Sequence, residues 1–178
     1  MKATGIVRRI DDLGRVVIPK EIRRTMRIRE GDPLEIYTEN DGEVIFKKYS
    51  PIGELSHFAN QYAEVLSKTT GLPVLISDRD AIIASFGIQR KETIEHRISD
   101  ELEAILEQRK TYTFDGVHKI LATDIIDRSV SVAVPILAAG DLSGTVVLLV
   151  GDNATKPTET DIKLATVAAT FLAKQMEE

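Results

Sequence analysis

The sequence is organised around one stretch, Leu13-Gly14-Arg15-Val16-Val17-Ile18-Pro19, which continues directly into Lys20-Glu21-Ile22-Arg23-Arg24. The run from Arg15 to Ile18 is rich in β-branched residues and predicts a strand. A similar run, Gly5 to Ile10, precedes it, and residues 11–14 between the two runs are typical of a turn. The stretch therefore predicts a β-hairpin that leads straight into a helix.

A helix and a second hairpin complete this N-terminal segment. Pro19 suits the first position of a helix that runs to Met26, with Ile22 and Met26 one turn apart on one face. Leu34 to Thr38 alternates apolar and polar residues, and the turn residues 39–42 lead into a fourth strand, residues 43–47. Because a segment of about fifty residues buries little apolar surface alone, we expect two chains to combine their hairpins into one shared β-barrel.

Positive charge is concentrated in the same segment. Residues 1–29 hold nine Lys and Arg against three Asp and Glu, whereas the whole chain of 178 residues has a net charge of −5. A basic segment in an acidic chain is typical of a nucleic-acid contact, and the planar arginine side chain pairs bidentately with phosphate or guanine. No long helix carries Asn or Gln for base reading, so we expect phosphate contacts and DNA shape to supply much of the selectivity.

The motifs of residues 1–48 occur together at fixed distances: Thr4 to Asp11, Leu13 to Pro19, the Arg23-Arg24 helix, and Leu34 to Tyr37. In this combination the segment resembles the swapped-hairpin domain of the AbrB family of transition-state regulators. The resemblance implies an interlaced dimeric barrel whose arginines face double-stranded DNA. The matching principal positions are Arg8, Arg15, Arg23 and Arg24. Additional phosphate contacts are expected from Lys2, Arg9, Lys20 and Arg27.

The break Tyr49-Ser50-Pro51 predicts a domain boundary, with one domain in residues 1–50 and a second in residues 51–178. One amphipathic helix is expected up to Thr70, on the apolar spacing of Ile52, Leu55, Phe58, Tyr62, Val65 and Leu66. It is expected to cover a sheet, to pair with its copy in another subunit, or to do both.

The rest of the second domain predicts strands and helices in alternation. Strands are expected at residues 72–77, 81–85 and 111–114, and adjacent antiparallel strands at residues 129–137 and 144–150. Helices are expected to begin after Ser99 and after Thr158, where Asp161 completes a capping box. This order resembles a GAF-type sensor domain, an antiparallel sheet flanked by helices, so the fold class expected for the chain is α+β.

The resemblance to GAF domains implies a small-molecule effector held between the sheet and an overlying segment. Residues 86–95 and 114–128 are the expected segments, but no residue there identifies a ligand, and no cofactor is assigned. A phosphate-binding loop of the G-x-x-x-x-G-K-[ST] type does not occur.

Several chemistries have no candidate residues. The chain has no cysteine, and His57, His96 and His118 lack the spacing of metal ligands. No serine lies in a G-x-S-x-G motif, so no catalytic or metal site is expected and the chain is not expected to be an enzyme. The longest apolar runs are too short to cross a membrane and no leader precedes the first strand, so a cytoplasmic location is expected.

The basic segment predicts a DNA-binding protein, and the resemblance to the AbrB family implies a transcription regulator of sporulation genes, acting as activator, repressor or both. An antidote-type protein that neutralises a toxin is the alternative, because swapped-hairpin barrels also occur in that class. Such antidotes usually end in a disordered acidic tail, whereas this chain continues into a folded domain. For the assembly, the barrel requires a dimer, and the apolar helices of the second domain favour a tetramer.

Overall fold

The structure, a computed structural model, describes residues 5–89, 93–153 and 155–177. Two units are separated between Tyr49 and Ser50, and they are called here the first and second unit. The first holds a two-stranded sheet and one short helix, and the second a five-stranded sheet with four helices among the described residues. The expected α+β class is confirmed.

The helix and the second hairpin of the first unit lie where the sequence predicts them. Helix α1 is Lys20–Met26, and strands β1, Leu34–Thr38, and β2, Val44–Lys48, pair in an antiparallel register. Helix α1 begins after Pro19, whose fixed φ of −57° suits a helix start, and ends at Arg27 in the left-handed conformation.

The predicted first hairpin differs from the expectation. Residues 11–14 close a turn, with Asp11 N donating to Arg15 O at 3.0 Å and Gly14 N donating to Asp11 O at 3.1 Å. The flanking residues 5–10 and 15–18 form no strand in the single chain. An isolated two-stranded ribbon is marginal in water, and one chain offers these residues no further partner strand.

The second unit is built around one five-stranded sheet. Its strands are β3, Val74–Asp78, β4, Ile82–Phe86, β5, Tyr112–Thr113, β6, Val130–Ala138, and β7, Asp141–Leu149. They follow the order β4-β3-β7-β6-β5, and all neighbours are antiparallel. The predicted antiparallel pair is thus β6 and β7, which lie in the interior of the sheet.

The turn between β6 and β7 is tighter than the sequence suggests. It consists of Ala139 and Gly140, whose φ angles are 48° and 86°. Positive φ at both central residues is typical of the two-residue turn that matches the twist of a hairpin. Strand β7 therefore starts at Asp141, three residues before the predicted start.

Helices α2, Pro51–Glu54, α3, Ser56–Thr70, α4, Asp100–Glu107, and α5, Glu159–Met176, cover the sheet. On one face α3 and α5 pack on alternate strand residues such as Ile76 and Leu148. On the other face α4 and the segment 114–128 pack on Leu75 and Val147. Both faces are buried, which explains why the central strands read as continuous apolar runs.

The single helix expected at residues 52–70 is divided in two. Helix α2 ends at Glu54, next to Gly53, which lowers helix propensity, and α3 starts at Ser56 after the single residue Leu55. The buried face of α3 is formed by Ala59, Ala63 and Leu66. Phe58 and Val65, expected in the apolar stripe, are exposed instead.

The predicted caps are confirmed. The Thr158 hydroxyl accepts from Asp161 N while the Asp161 carboxylate accepts from Thr158 N, the reciprocal capping box. The Ser99 side chain caps α4 by accepting from Leu102 N at 3.0 Å.

Candidate nucleic-acid interface

The two adjacent arginines of α1 are exposed, and neither forms an ion pair with any residue that the structure describes. Arg23 and Arg24 occupy the last turn of the helix, where the partial negative charge of the helix end favours cations. Their guanidinium groups are therefore available to an anionic partner without breaking an internal pair.

Arg15 is held in place by Asp11 across the turn. Its Nε donates to Asp11 Oδ2 at 2.8 Å, and Asp11 Oδ1 accepts from the backbone N of Arg15 at 2.7 Å and of Leu13 at 3.0 Å. These bonds, that from the Arg15 backbone foremost and that from its side chain next, hold the pKa of the Asp11 carboxyl below its usual range. Asp11 accepts from the Nε–H of the Arg15 side chain, which leaves the Nη groups for another acceptor.

The contact of Asp11 with Arg15 was not predicted from the sequence, because Asp11 was counted only as a turn former. Its signal was an acidic residue four positions before an arginine across a glycine-containing turn. The arrangement orders a guanidinium that would otherwise sample many rotamers, and this lowers the entropy cost of binding an anion.

The remaining expected contacts lie on different parts of the first unit. Arg8 and Arg9 are exposed in the arm before the turn, and Lys20 is exposed at the start of α1. Arg27 is half-buried as the C-cap of α1. Lys2 lies outside the described residues.

Many large apolar side chains of the first unit are also exposed. In residues 5–49, Pro19 is the one residue that is buried as a whole. Val7 is 87% exposed, and large parts of several other side chains face solvent, namely Ile10, Leu13, Val17, Ile36 and Val44. An exposed apolar surface of this kind marks an interface with another chain.

A cavity of about 250 Å³ in the second unit lies beside the start of β6 and the end of β7. Phe114 and Val150 supply apolar lining, and Lys119, Asp127 and Ser129 supply polar groups. Arg128 borders it, paired with Asp152 at 2.6 Å. The cavity touches the segment 114–128 where an effector was expected, whereas part of the other expected segment, residues 90–92, lies outside the described residues.

The outer sides of α3 and α5 form an apolar strip, called here the helix-pair face: Phe58, Tyr62 and Val65 on α3, with Val167 and Phe171 on α5. Val65 is 61% and Val167 56% exposed, and the rings of Tyr62 and Phe171 lie 5.4 Å apart. Two helices with an uncovered apolar side are typical of a helix-bundle interface between subunits.

In the described ranges, no three His, Cys, Asp or Glu side chains are grouped as metal ligands. Within the same ranges, no helix combines the length and apolar character needed to cross a membrane.

Comparison with protein families gives two matches that together cover most of the chain. Residues 54–177 match the family described as stage V sporulation protein T C-terminal, transcription factor. Residues 7–53 match the family described as antidote-toxin recognition MazE, bacterial antitoxin.

Known proteins resemble the chain both as a whole and in part. Stage V sporulation protein T of Bacillus subtilis is 51% identical over the full length of both chains. The transition state regulatory protein AbrB of the same organism is 63% identical over 51 residues, which cover 29% of this chain and 52% of AbrB.

Among solved structures, the GAF domain of PixJ from Thermosynechococcus elongatus has a TM-score of 0.58. It is 12% identical, and the match covers 73% of this chain and 89% of that domain. At this identity the likeness concerns the fold, so the expected GAF-like fold of the second unit is confirmed.

Proposed function

The chain belongs to the family of stage V sporulation protein T, whose members are transcription factors, and on that premise we propose that residues 1–50 bind double-stranded DNA as a swapped dimer. Residues 51–178 then serve assembly and the sensing of an effector. The protein acts on sporulation genes in the cytoplasm and needs no enzymatic activity for this role.

The observation that carries the proposal is the group of exposed arginines in the first unit. Arg23 and Arg24 have no internal ion pair among the described residues, and Arg15 is pre-oriented by Asp11. The segment that bears them is 63% identical to AbrB in the aligned part. A dimer brings two copies of each arginine to the same DNA, so phosphate contacts are doubled without any new residue.

The salt dependence of binding tests this electrostatic contact. If a dimer neutralises about six phosphates, log affinity falls against log salt concentration with a slope of about −5. Fluorescence anisotropy with promoter-length DNA at several salt concentrations measures the slope. A slope near zero, or no binding at low salt, would contradict the proposal.

The apolar surface of the first unit supports the dimer. Residues 5–10 and 15–18 have strand-forming sequences but form no strand in one chain, and their apolar side chains are exposed. Hairpins supplied by a second chain would pair these segments and bury their side chains. The helix-pair face of the second unit would then join two such dimers into a tetramer, which raises affinity through effective concentration when both barrels reach one DNA.

Glutamates in the helix-pair face test the tetramer. We expect the double substitution Val65→Glu and Val167→Glu to reduce the assembly from tetramer to dimer. The free energy needed to bury two unpaired carboxylates per subunit is larger than the free energy gained from the apolar contact. Sedimentation velocity measures the mass. The control, Gln61→Glu with Thr160→Glu, adds the same charge at exposed polar positions and should remain tetrameric. A wild-type dimer, or a tetramer that survives both glutamates, would refute the arrangement.

The antidote alternative has less support. Residues 7–53 match the MazE antitoxins, but residues 54–177 match a transcription factor family, and the full-length relative is a sporulation protein.

The cavity bordered by Phe114 and Arg128 is the place where a small effector would bind in the second unit.

A further inference from the structure

The end of helix α1 is tied to the hairpin β1–β2 by one lysine. The final turn closes on itself, with Ile28 N donating to Arg23 O at 2.8 Å and Arg27 N to Arg24 O at 3.3 Å. The carbonyl oxygen of Arg27, the residue that follows the helix, accepts from Lys48 Nζ at 2.9 Å. Lys48 is the last residue of β2, so this bond joins the two elements across 21 positions of the chain.

A buried carboxylate lies on the other side of the same ammonium group. The Asp32 side chain is 4% exposed, and its Oδ2 is 3.8 Å from Lys48 Nζ. Asp32 Oδ2 also accepts from Arg29 N at 2.8 Å, which fixes the loop that follows the helix. The ammonium is therefore placed between the negative end of the helix and a buried anion, and its own side chain is 26% exposed.

We propose that Lys48 and Asp32 are positioning residues, which hold α1 against the hairpin so that Arg23 and Arg24 meet DNA in a fixed orientation. The inference rests on the proposed DNA binding. Lys48 then differs from the neighbouring Lys47, which is exposed, with its Nζ 4.6 Å from the centre of the Tyr37 ring.

The direction in which Asp32→Asn changes the DNA affinity distinguishes a positioning role of Lys48 from a direct phosphate contact. If Lys48 were a phosphate contact, Asp32→Asn would remove a repulsive charge and would strengthen DNA binding or leave it unchanged. If the pair positions α1, Asp32→Asn weakens binding although it removes a negative charge from a DNA-binding domain. We expect Asp32→Asn and Lys48→Met each to weaken binding by about fivefold to tenfold, the scale of one lost hydrogen bond.

A double-mutant cycle shows whether the lysine acts through the helix. In a variant with Arg23→Ala and Arg24→Ala, the additional change Lys48→Met should weaken binding by less than about twofold, because coupled residues are not additive. Asp41→Asn and Lys47→Met are the matched controls, since each makes the same charge change at an exposed position, Asp41 in the β1–β2 turn and Lys47 next to Lys48 in β2. Asp41→Asn should not weaken binding.

The measurement is anisotropy with the full-length chain and promoter-length DNA, after circular dichroism has shown that each variant is folded. Binding by the wild-type chain in the same titration tests the proposed function separately. If Lys48→Met does not fold, the isosteric Asp32→Asn carries the test by itself. The inference is overturned if the Asp32→Asn variant binds DNA as tightly as the wild type or more tightly. It is also overturned if the loss of DNA affinity caused by Lys48→Met adds fully to the loss caused by the Arg23→Ala and Arg24→Ala changes.

Discussion

Simultaneous replacement of Arg8, Arg15, Arg23 and Arg24 by alanine is expected to weaken DNA binding by about 1,000-fold or more at low salt. In a dimer the change removes eight guanidinium groups, each of which can pair with a phosphate or a guanine. The loss should be large because all four side chains are exposed, and Arg8, Arg23 and Arg24 form no ion pair with the described residues. Anisotropy titration of the intact chain measures it.

The fold of the arginine variant should survive. Arg8, Arg23 and Arg24 have no internal ion pair with described residues, and the pair between Arg15 and Asp11 is exposed and contributes little to stability. A control removes four positive charges from exposed positions of the second unit: Lys68, Lys110, Lys156 and Lys163, each changed to alanine. If this control loses as much affinity as the arginine variant, net charge rather than the named residues explains binding.

Gly144→Ala is expected to destabilise the second unit by about 3 kcal/mol, at the upper end of overpacking effects in cores. A Cβ at Gly144 would lie 2.0 Å from the carbonyl oxygen of Ser77 on the neighbouring strand β3. That oxygen belongs to the backbone, and β3 is paired on both sides, so it cannot move without disturbing the sheet. The melting temperature should fall by about 10 °C, which calorimetry or circular dichroism measures.

Gly151→Ala provides the matched comparison. Its Cβ would meet the Leu72 Cδ2 atom at 3.0 Å, the end of a side chain that can rotate away. The melting temperature of this variant should stay within about 3 °C of the wild type. Equal melting temperatures for Gly144→Ala and the wild type would show that β3 and β7 are further apart than the structure places them.

Local sequence signals determined the bounds of several elements. Pro19 set the start of α1, Thr158 with Asp161 started α5, and Ser99 started α4, because a cap is a contact between residues three or four positions apart. The alternation in Leu34 to Thr38 likewise predicted β1 to the residue. The composition of the basic segment was sufficient to predict a DNA-binding surface in it.

Long-range packing decided the rest. The sequence spacing put Phe58 and Val65 in one stripe with Leu66, but only the small Ala59 and Ala63 let α3 approach the sheet, so the larger side chains remained outside. The contact of Lys48 with Arg27 O spans 21 positions and follows from no periodicity. The sequence by itself therefore determined the element bounds that are set by caps and local alternation, through contacts within one or two turns, together with the charge of the N-terminal segment. The tertiary structure alone decided which faces are buried and what holds α1 in place, because those depend on residues that meet only after folding.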